Sequence, residues 1–412
     1  MLEKVKYKSN ELYFDDVKVS SIVEKFGSPL YIYSKNRIIE NYESYDSNFK
    51  KNNIINYCIH YAIKANENLS ILKLLGSMGA GADTVSGNEV KKSLLAGIPP
   101  DKIVFSGVSK SRGELEFAIR SKIGQINIES YEEFLNIREI VKEINMDTNI
   151  AVRVNPDIDA DTHMKITTGK RENKFGVPFE IAEKIYNEAK PNDLLNFKGV
   201  SVHIGSQILN INKFEEVLKF LSEVYKKYSW QSVDLGGGLG IEYETNQKTP
   251  SKEEFVALIR KYFGDYKGKI MIEPGRSIVG DAGIFVCKVI CTKETDTKNF
   301  IMVDGGFNGL IRPAMYDAYH HPLLSRLSGE KKVYDIVGSI CESGDIFNRD
   351  IELDVPDKSS CIAFLSAGAY GRSMASNYNL HDIVGEVWVE EGQVEQIRKS
   401  ISFEDLLKFE EV

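Results

Sequence analysis

From Ile54 onward the chain alternates short apolar, β-branched runs with longer stretches whose apolar residues recur three and four positions apart. The β-type runs fall at 54–64, 81–84, 102–106, 125–128, 149–154, 198–203, 231–235 and 269–273. Between them, sets such as Leu69, Leu72, Leu75 and Val90, Leu94, Leu95 have helical spacing. Four of these stretches open on Ser-x-x-Glu, the pattern that satisfies free N–H groups at a helix start: Ser86 with Glu89, Ser111 with Glu114, Ser130 with Glu133, and Ser251 with Glu254. Regular strand–helix alternation predicts a parallel sheet. Eight strands over this length predict a (β/α)8 barrel, with a doubly wound open sheet as the alternative.

Outside that region the texture changes. Ile284 to Ile290, Phe300 to Asp304, Val333 to Val337 and Ile362 to Leu365 alternate or stay apolar, with few helical patterns between them. Glu11-Leu12-Tyr13-Phe14 and Ser28 to Tyr33 read as strands, separated by a short helix within Val17 to Phe26. The expected fold is therefore an α/β, TIM-like barrel over 36–280. A second, mostly β domain of sandwich or barrel-like character is built from 281–412 together with 1–35. A chain of 412 residues, 42% hydrophobic and 27% charged, suits two or three globular domains.

The net charge of −8, with Lys and Arg scattered, argues against a nucleic-acid partner. No apolar run reaches the ~20 residues that would span a bilayer, and the charged first residues do not resemble a signal peptide, so a cytoplasmic location is expected. Five cysteines without ligand spacing point to a reduced protein. His320-His321 lacks accompanying ligands, so no metal is expected.

The chemistry gathers at predicted strand ends, where barrel active sites form. The first strand ends in Tyr61-Ala62-Ile63-Lys64-Ala65-Asn66 and the second in Asp83. The sixth ends in His203-Ile204-Gly205-Ser206-Gln207, the seventh in Gly236-Gly237-Gly238-Leu239-Gly240, and the eighth in Glu273-Pro274-Gly275-Arg276. A partly buried Lys64 would have a depressed pKa and become a nucleophile. The glycine loop lets backbone N–H groups approach an anion, and it is neither a Walker loop nor a dinucleotide fingerprint. Ser206 and Arg276 would add a hydroxyl and a guanidinium to a phosphate. A reactive lysine, a phosphate cradle and a facing carboxylate together suit pyridoxal 5′-phosphate. Lys64 would hold it as a Schiff base, Glu273 would keep the ring nitrogen protonated, and His203 would lie against the ring. Farther on, Arg312 and Tyr316, Cys341 beside Glu342, and Tyr370 in Gly368-Ala369-Tyr370-Gly371 offer an anion reader, a thiol with a cation reader, and a phenol.

These strings, in this order and with Asn155-Pro156-Asp157 and Asn173-Lys174-Phe175-Gly176 in register, resemble the diaminopimelate decarboxylase family of fold-type III pyridoxal-phosphate enzymes. The similarity runs from about Gly27 to Asn379. It implies decarboxylation of meso-2,6-diaminopimelate to L-lysine and carbon dioxide, the last step of lysine biosynthesis, by a homodimer with shared active sites. By motif match, Lys64, Gly238, Glu273, Gly275, Arg276 and Tyr370 would bind the cofactor, joining Asp83, His203, Ser206, Gly236 and Gly237 read from the strand ends. Arg276, Arg312, Tyr316, Glu342 and Tyr370 would contact the amino-acid substrate. Catalysis would fall to Lys64, Glu273 and His203, with Cys341 of the partner subunit as proton donor. Decarboxylases for ornithine, lysine, arginine or carboxynorspermidine are the alternative, but ornithine and arginine enzymes typically carry aspartate where Glu342 stands. A racemase would need a second base, and a vitamin B6 carrier would have no use for the second domain. This chain departs from the family pattern at Arg372 and through Asn379-Leu380-His381-Asp382. Polar residues and glycine between Asp157 and Lys174 suggest a mobile loop.

Overall fold

In the computed structural model, the described residues are 4–158, 174–189, 194–228, 230–244 and 247–411. All but the ends of the Asp157 to Lys174 segment fall outside them. The chain divides into two compact units. One comprises Tyr42–Gly240 and Thr249–Ser277; the other comprises Met1–Asn41, Ile241–Lys248 and Ile278–Val412.

The first unit is a closed barrel of eight parallel strands: Tyr57–Ala62, Gly81–Thr84, Ile103–Phe105, Gln125–Ile128, Thr148–Arg153, Leu195–Ser201, Ser232–Asp234 and Lys269–Ile272. Each strand pairs with the next, and the eighth closes onto the first through Ile270 opposite Tyr57 and Ile272 opposite Ile59. All eight expected runs are strands; 81–84 and 125–128 match to the residue, the fifth and sixth begin one and three residues earlier than expected, and other ends shift by one to three residues. The helices bury their periodic faces: Ile71, Leu72 and Leu75 in one, Phe134, Ile137, Ile140 and Val141 in another. Ser111 with Glu114 and Ser251 with Glu254 form reciprocal capping boxes. Ser86 and Ser130 cap through their hydroxyls, while Glu89 and Glu133 turn to Val85 N–H and Glu129 N–H instead.

The second unit is mostly β. A three-stranded antiparallel sheet (Val5–Lys8, Glu11–Phe14, Val17–Lys18) precedes the helix Val19–Phe26. A nine-stranded sheet is organised around Gly283–Glu294, which pairs in turn with Leu30–Ser34, Cys361–Phe364 and Asn299–Val303. One core joins Leu12, Phe14, Ile22 and Ile32 to Ile284, Val286, Ala363 and Val387. The N-terminal strands thus belong with the C-terminal sheet, as the sequence predicts. The short helices Arg312–Tyr316 and Phe403–Leu407 were not marked by the pattern, being too short to show periodicity.

Candidate active site

Lys64 lies in a single 3-10 turn, Ile63–Ala65, directly after the first barrel strand. Its Nζ is 2.8 Å from Oδ2 of Asp83, fully buried one residue before the end of its own strand, while Lys64 keeps about a third of its side-chain exposure. The contact is an ion pair between the ends of two neighbouring barrel strands. Gly275 lets the end of the eighth strand press on this turn, since a Cβ there would lie 3.0 Å from that of Ala65.

Lys64, His203 and Glu273 line one cavity of about 170 Å³, together with Ser106, Asn127 and Arg153. His203 Nδ1 accepts the Gly237 N–H at 3.2 Å, which places the imidazole proton on Nε2. Burial, then the charges of Lys64 and Arg153, hold its pKa well below the ordinary value, so the ring is neutral. Glu273 and Asp234 form a buried carboxyl pair. Burial, then Asp234 and Asp83, push Glu273 well above the carboxylate range, and burial lifts Asp234 to about 6.

The glycine loop is shaped by its neighbours. A Cβ on Gly236 would stand 2.2 Å from Val202 O, on Gly237 2.2 Å from Glu273 O, and on Gly238 2.5 Å from Gly205 O. Gly236 and Gly238 also have φ of +66° and +109°. The N–H groups of Gly236, Gly237 and Gly240 already bond Asp234, His203 and Ile208. Among the described residues this leaves Gly238 and Leu239 as the loop donors open to an anion, fewer than the glycine count suggests. Arg276 donates to Ser206 Oγ at 3.0 Å, joining the two groups expected beside a phosphate.

The residues fit pyridoxal phosphate. Glu273 Oε1 is buried and meets no N–H or O–H donor among the described residues, as an acceptor for a ring N–H should be. The cradle excludes side chains, and an amine stands in the same cavity. Sequence reasoning missed Arg153, Asn127 and Asp234. Arg153 bonds Glu129 at 2.8 Å and lies over the Phe175 ring at 4.8 Å. A usable signal existed: each is a polar residue at an inward-facing strand position, where barrels ordinarily carry aliphatics.

The remaining candidates belong to the other unit. Arg312 is buried, donates to Tyr243 Oη at 2.7 Å and lies 4.9 Å over that ring; Tyr316 ends the same helical turn. Cys341 and Glu342 are exposed in a loop held from inside by Asp345, which accepts N–H groups from Phe307 and Ile340 at 2.7 Å each. Cys341 N–H donates to Asn379, and Glu342 accepts from Tyr378 Oη. Tyr370 has φ +56°. Arg372, a departure from the family pattern, is buried with Nε donating to Val384 O at 2.6 Å, a structural bond within the unit.

Residues 35–280 match the pyridoxal-dependent decarboxylase, pyridoxal binding domain. A diaminopimelate decarboxylase from Aquifex aeolicus is 41% identical, covering 98% of this chain and 96% of that protein. The one from Campylobacter jejuni is 41% identical over 94% and 97%. The crystal structure of the Methanocaldococcus jannaschii diaminopimelate decarboxylase, solved also with L-lysine, superposes with a TM-score of 0.94 at 37% identity, covering 100% of this chain and 98% of that one. Matched along nearly its whole length in sequence and fold, the chain belongs to the pyridoxal-dependent decarboxylases and, among them, to the diaminopimelate decarboxylase family.

Proposed function

We propose that this chain converts meso-2,6-diaminopimelate to L-lysine and carbon dioxide. The observation that carries the reading is the convergence of Lys64, Glu273 and neutral His203 on one cavity beside a glycine cradle. Pyridoxal phosphate, when bound, supplies a ring that takes up the electron pair left by the departing carboxylate.

Lys64 is the covalent anchor for the cofactor, and Asp83 accepts a hydrogen bond from its amine and positions it. Glu273 accepts the ring N–H, and His203, uncharged, covers a ring face without competing for the electron pair. Gly238, Arg276 and Ser206 hold the phosphate, while Gly236 and Gly237 serve by leaving room. For Tyr370 at the cofactor, for Arg276, Arg312, Tyr316, Glu342 and Tyr370 at the substrate, and for Cys341 as proton donor to the α-carbon, the support is the motif match with the family. The same match supports a homodimer in which Cys341 serves the partner's site. No helix of the described residues is long and apolar enough to cross a membrane, and a cytoplasmic location is proposed.

The test is carbon dioxide release from cofactor-loaded protein offered meso-diaminopimelate, L-lysine, L-ornithine and L-arginine in parallel. Release from diaminopimelate alone is expected. Release from another of the four would overturn the substrate assignment while leaving the barrel roles standing. Lys64→Ala is expected to abolish turnover.

A further inference from the structure

The opposite, amino-terminal mouth of the barrel carries a second cavity, of about 290 Å³. Three lysines line it from different strands: Lys122 before the fourth, Lys198 in the middle of the sixth and Lys269 opening the eighth. Among the described residues none of the three meets a carboxylate, whereas Lys110, Lys64 and Lys298 elsewhere do. Lys198 Nζ bonds only the amide oxygen of Gln231 in the lining, at 3.1 Å. Asp101 is the single acid on the wall, so the mouth is net positive in a chain of net charge −8.

A buried histidine adds to the lining. His60, 2% exposed, lines the cavity, and its Nδ1 is buried with no hydrogen-bond partner among the described residues. The ring is fixed against Gly81, where a Cβ would stand 2.4 Å from His60 Cδ2. Burial, then Lys269 and Lys102, hold its pKa down to about 3. The neutral ring adds no charge of its own to the wall, and the positive field of the three lysines favours an anion.

We propose that the amino-terminal mouth of the barrel binds a small phosphate-bearing anion, held by Lys122, Lys198 and Lys269 with His60 at its base. The choice of phosphate follows from the donors. Ammonium groups act as separate point charges suited to a tetrahedral oxyanion, and no arginine in the lining offers the planar fork that matches a carboxylate. Gln125 and Gln231 add amide groups for a polar body, and the cavity exceeds the space of a single water several-fold.

The experiment uses cofactor-loaded protein, so that the phosphate cradle at the catalytic end is filled. Inorganic phosphate and glycerol 3-phosphate are titrated at low ionic strength, with acetate as control. Binding is read by calorimetry and by the ¹⁵N signals of the His60 ring. One-site binding of a phosphate with a shift at His60 is expected, weakened about tenfold by Lys269→Gln or Lys198→Gln, while kcat for carbon dioxide release is unchanged. Tighter binding of glycerol 3-phosphate identifies a phosphorylated molecule as the occupant, and equal binding identifies free phosphate. Acetate binding as well as phosphate, no saturable binding at millimolar concentration, or binding indifferent to both lysine substitutions would each overturn the proposal. Failure here leaves the decarboxylase reading untouched, because the two sites share no residue.

Discussion

The Asp234–Glu273 pair makes a measurable demand on the barrel. Both carboxyls are buried, and Asp234 titrates near 6 against an ordinary 3.8. The unfolded chain therefore releases the Asp234 proton first. Between those values the folded state binds more protons, so the pair's contribution to stability falls as pH rises through the window. At ~1.4 kcal/mol per pH unit, Asp234 alone accounts for about 3 kcal/mol; Glu273, also raised, adds in the same direction. Asp234→Asn removes that acid and its repulsion of Glu273. In cofactor-free protein, the mutant should gain about 3 kcal/mol relative to wild type between about pH 4 and about pH 7. The chain has two tryptophans, Trp230 in the barrel unit and Trp388 in the β unit. In a Trp388→Phe background, urea unfolding followed by Trp230 fluorescence reports the barrel by itself. Parallel pH curves for the two proteins would refute the claim that the pair holds a proton in the folded state.

Other substitutions have defined outcomes. Glu273→Gln should lower kcat on the order of 100-fold with much less effect on bound cofactor, measured by steady-state kinetics alongside cofactor absorbance; normal kcat would sink the role of Glu273 at the ring nitrogen. Gly238→Ala places a Cβ 2.5 Å from Gly205 O at φ +109°, so cofactor retention in dialysis should fall by at least about tenfold, given strain of about 1–3 kcal/mol. Asp345→Ala leaves the Phe307 and Ile340 N–H groups without their acceptor. It should destabilise the β unit by about 2–4 kcal/mol, read from Trp388 in a Trp230→Phe background.

The barrel was legible because the strands are short runs of three to seven residues, most of them rich in β-branched side chains, and several intervening helices carry their own start signal. Lys64, His203 and Glu273 could be found because a strand end is an improbable place for a polar residue unless it is used. What stayed hidden was whatever depends on partners distant in sequence. Nothing around Lys64 announces Asp83 as its ion partner. The glycine run suggests a generous set of N–H donors, but Asp234 and His203 take two of them. Arg312 reads as an anion reader, and only the fold reveals Tyr243 beneath it.

The same limit explains why sequence identifies Glu273 but not its state. Two adjacent carboxyls in a dry interior cannot both ionise, and the proton goes to the one with fewer donors. Asp234 accepts the Gly236 N–H at 3.0 Å, and the Asn127 side chain near it favours its ionised form. Asn127 is itself oriented by bonds with Gln125, at 2.8 Å, and Ser106, at 3.0 Å. Glu273 Oε1 has no such donor. The amides and hydroxyls inside this barrel, where aliphatic side chains would pack as well, thus bias one proton toward Glu273 and keep Asp234 as its acceptor. Replacing Asn127 with leucine would fill the space and remove the bias. The expected result is an Asp234 pKa above that of wild type and a cofactor affinity whose pH dependence moves with it; an unchanged pH profile would show that the polar interior has no part in setting the state of Glu273.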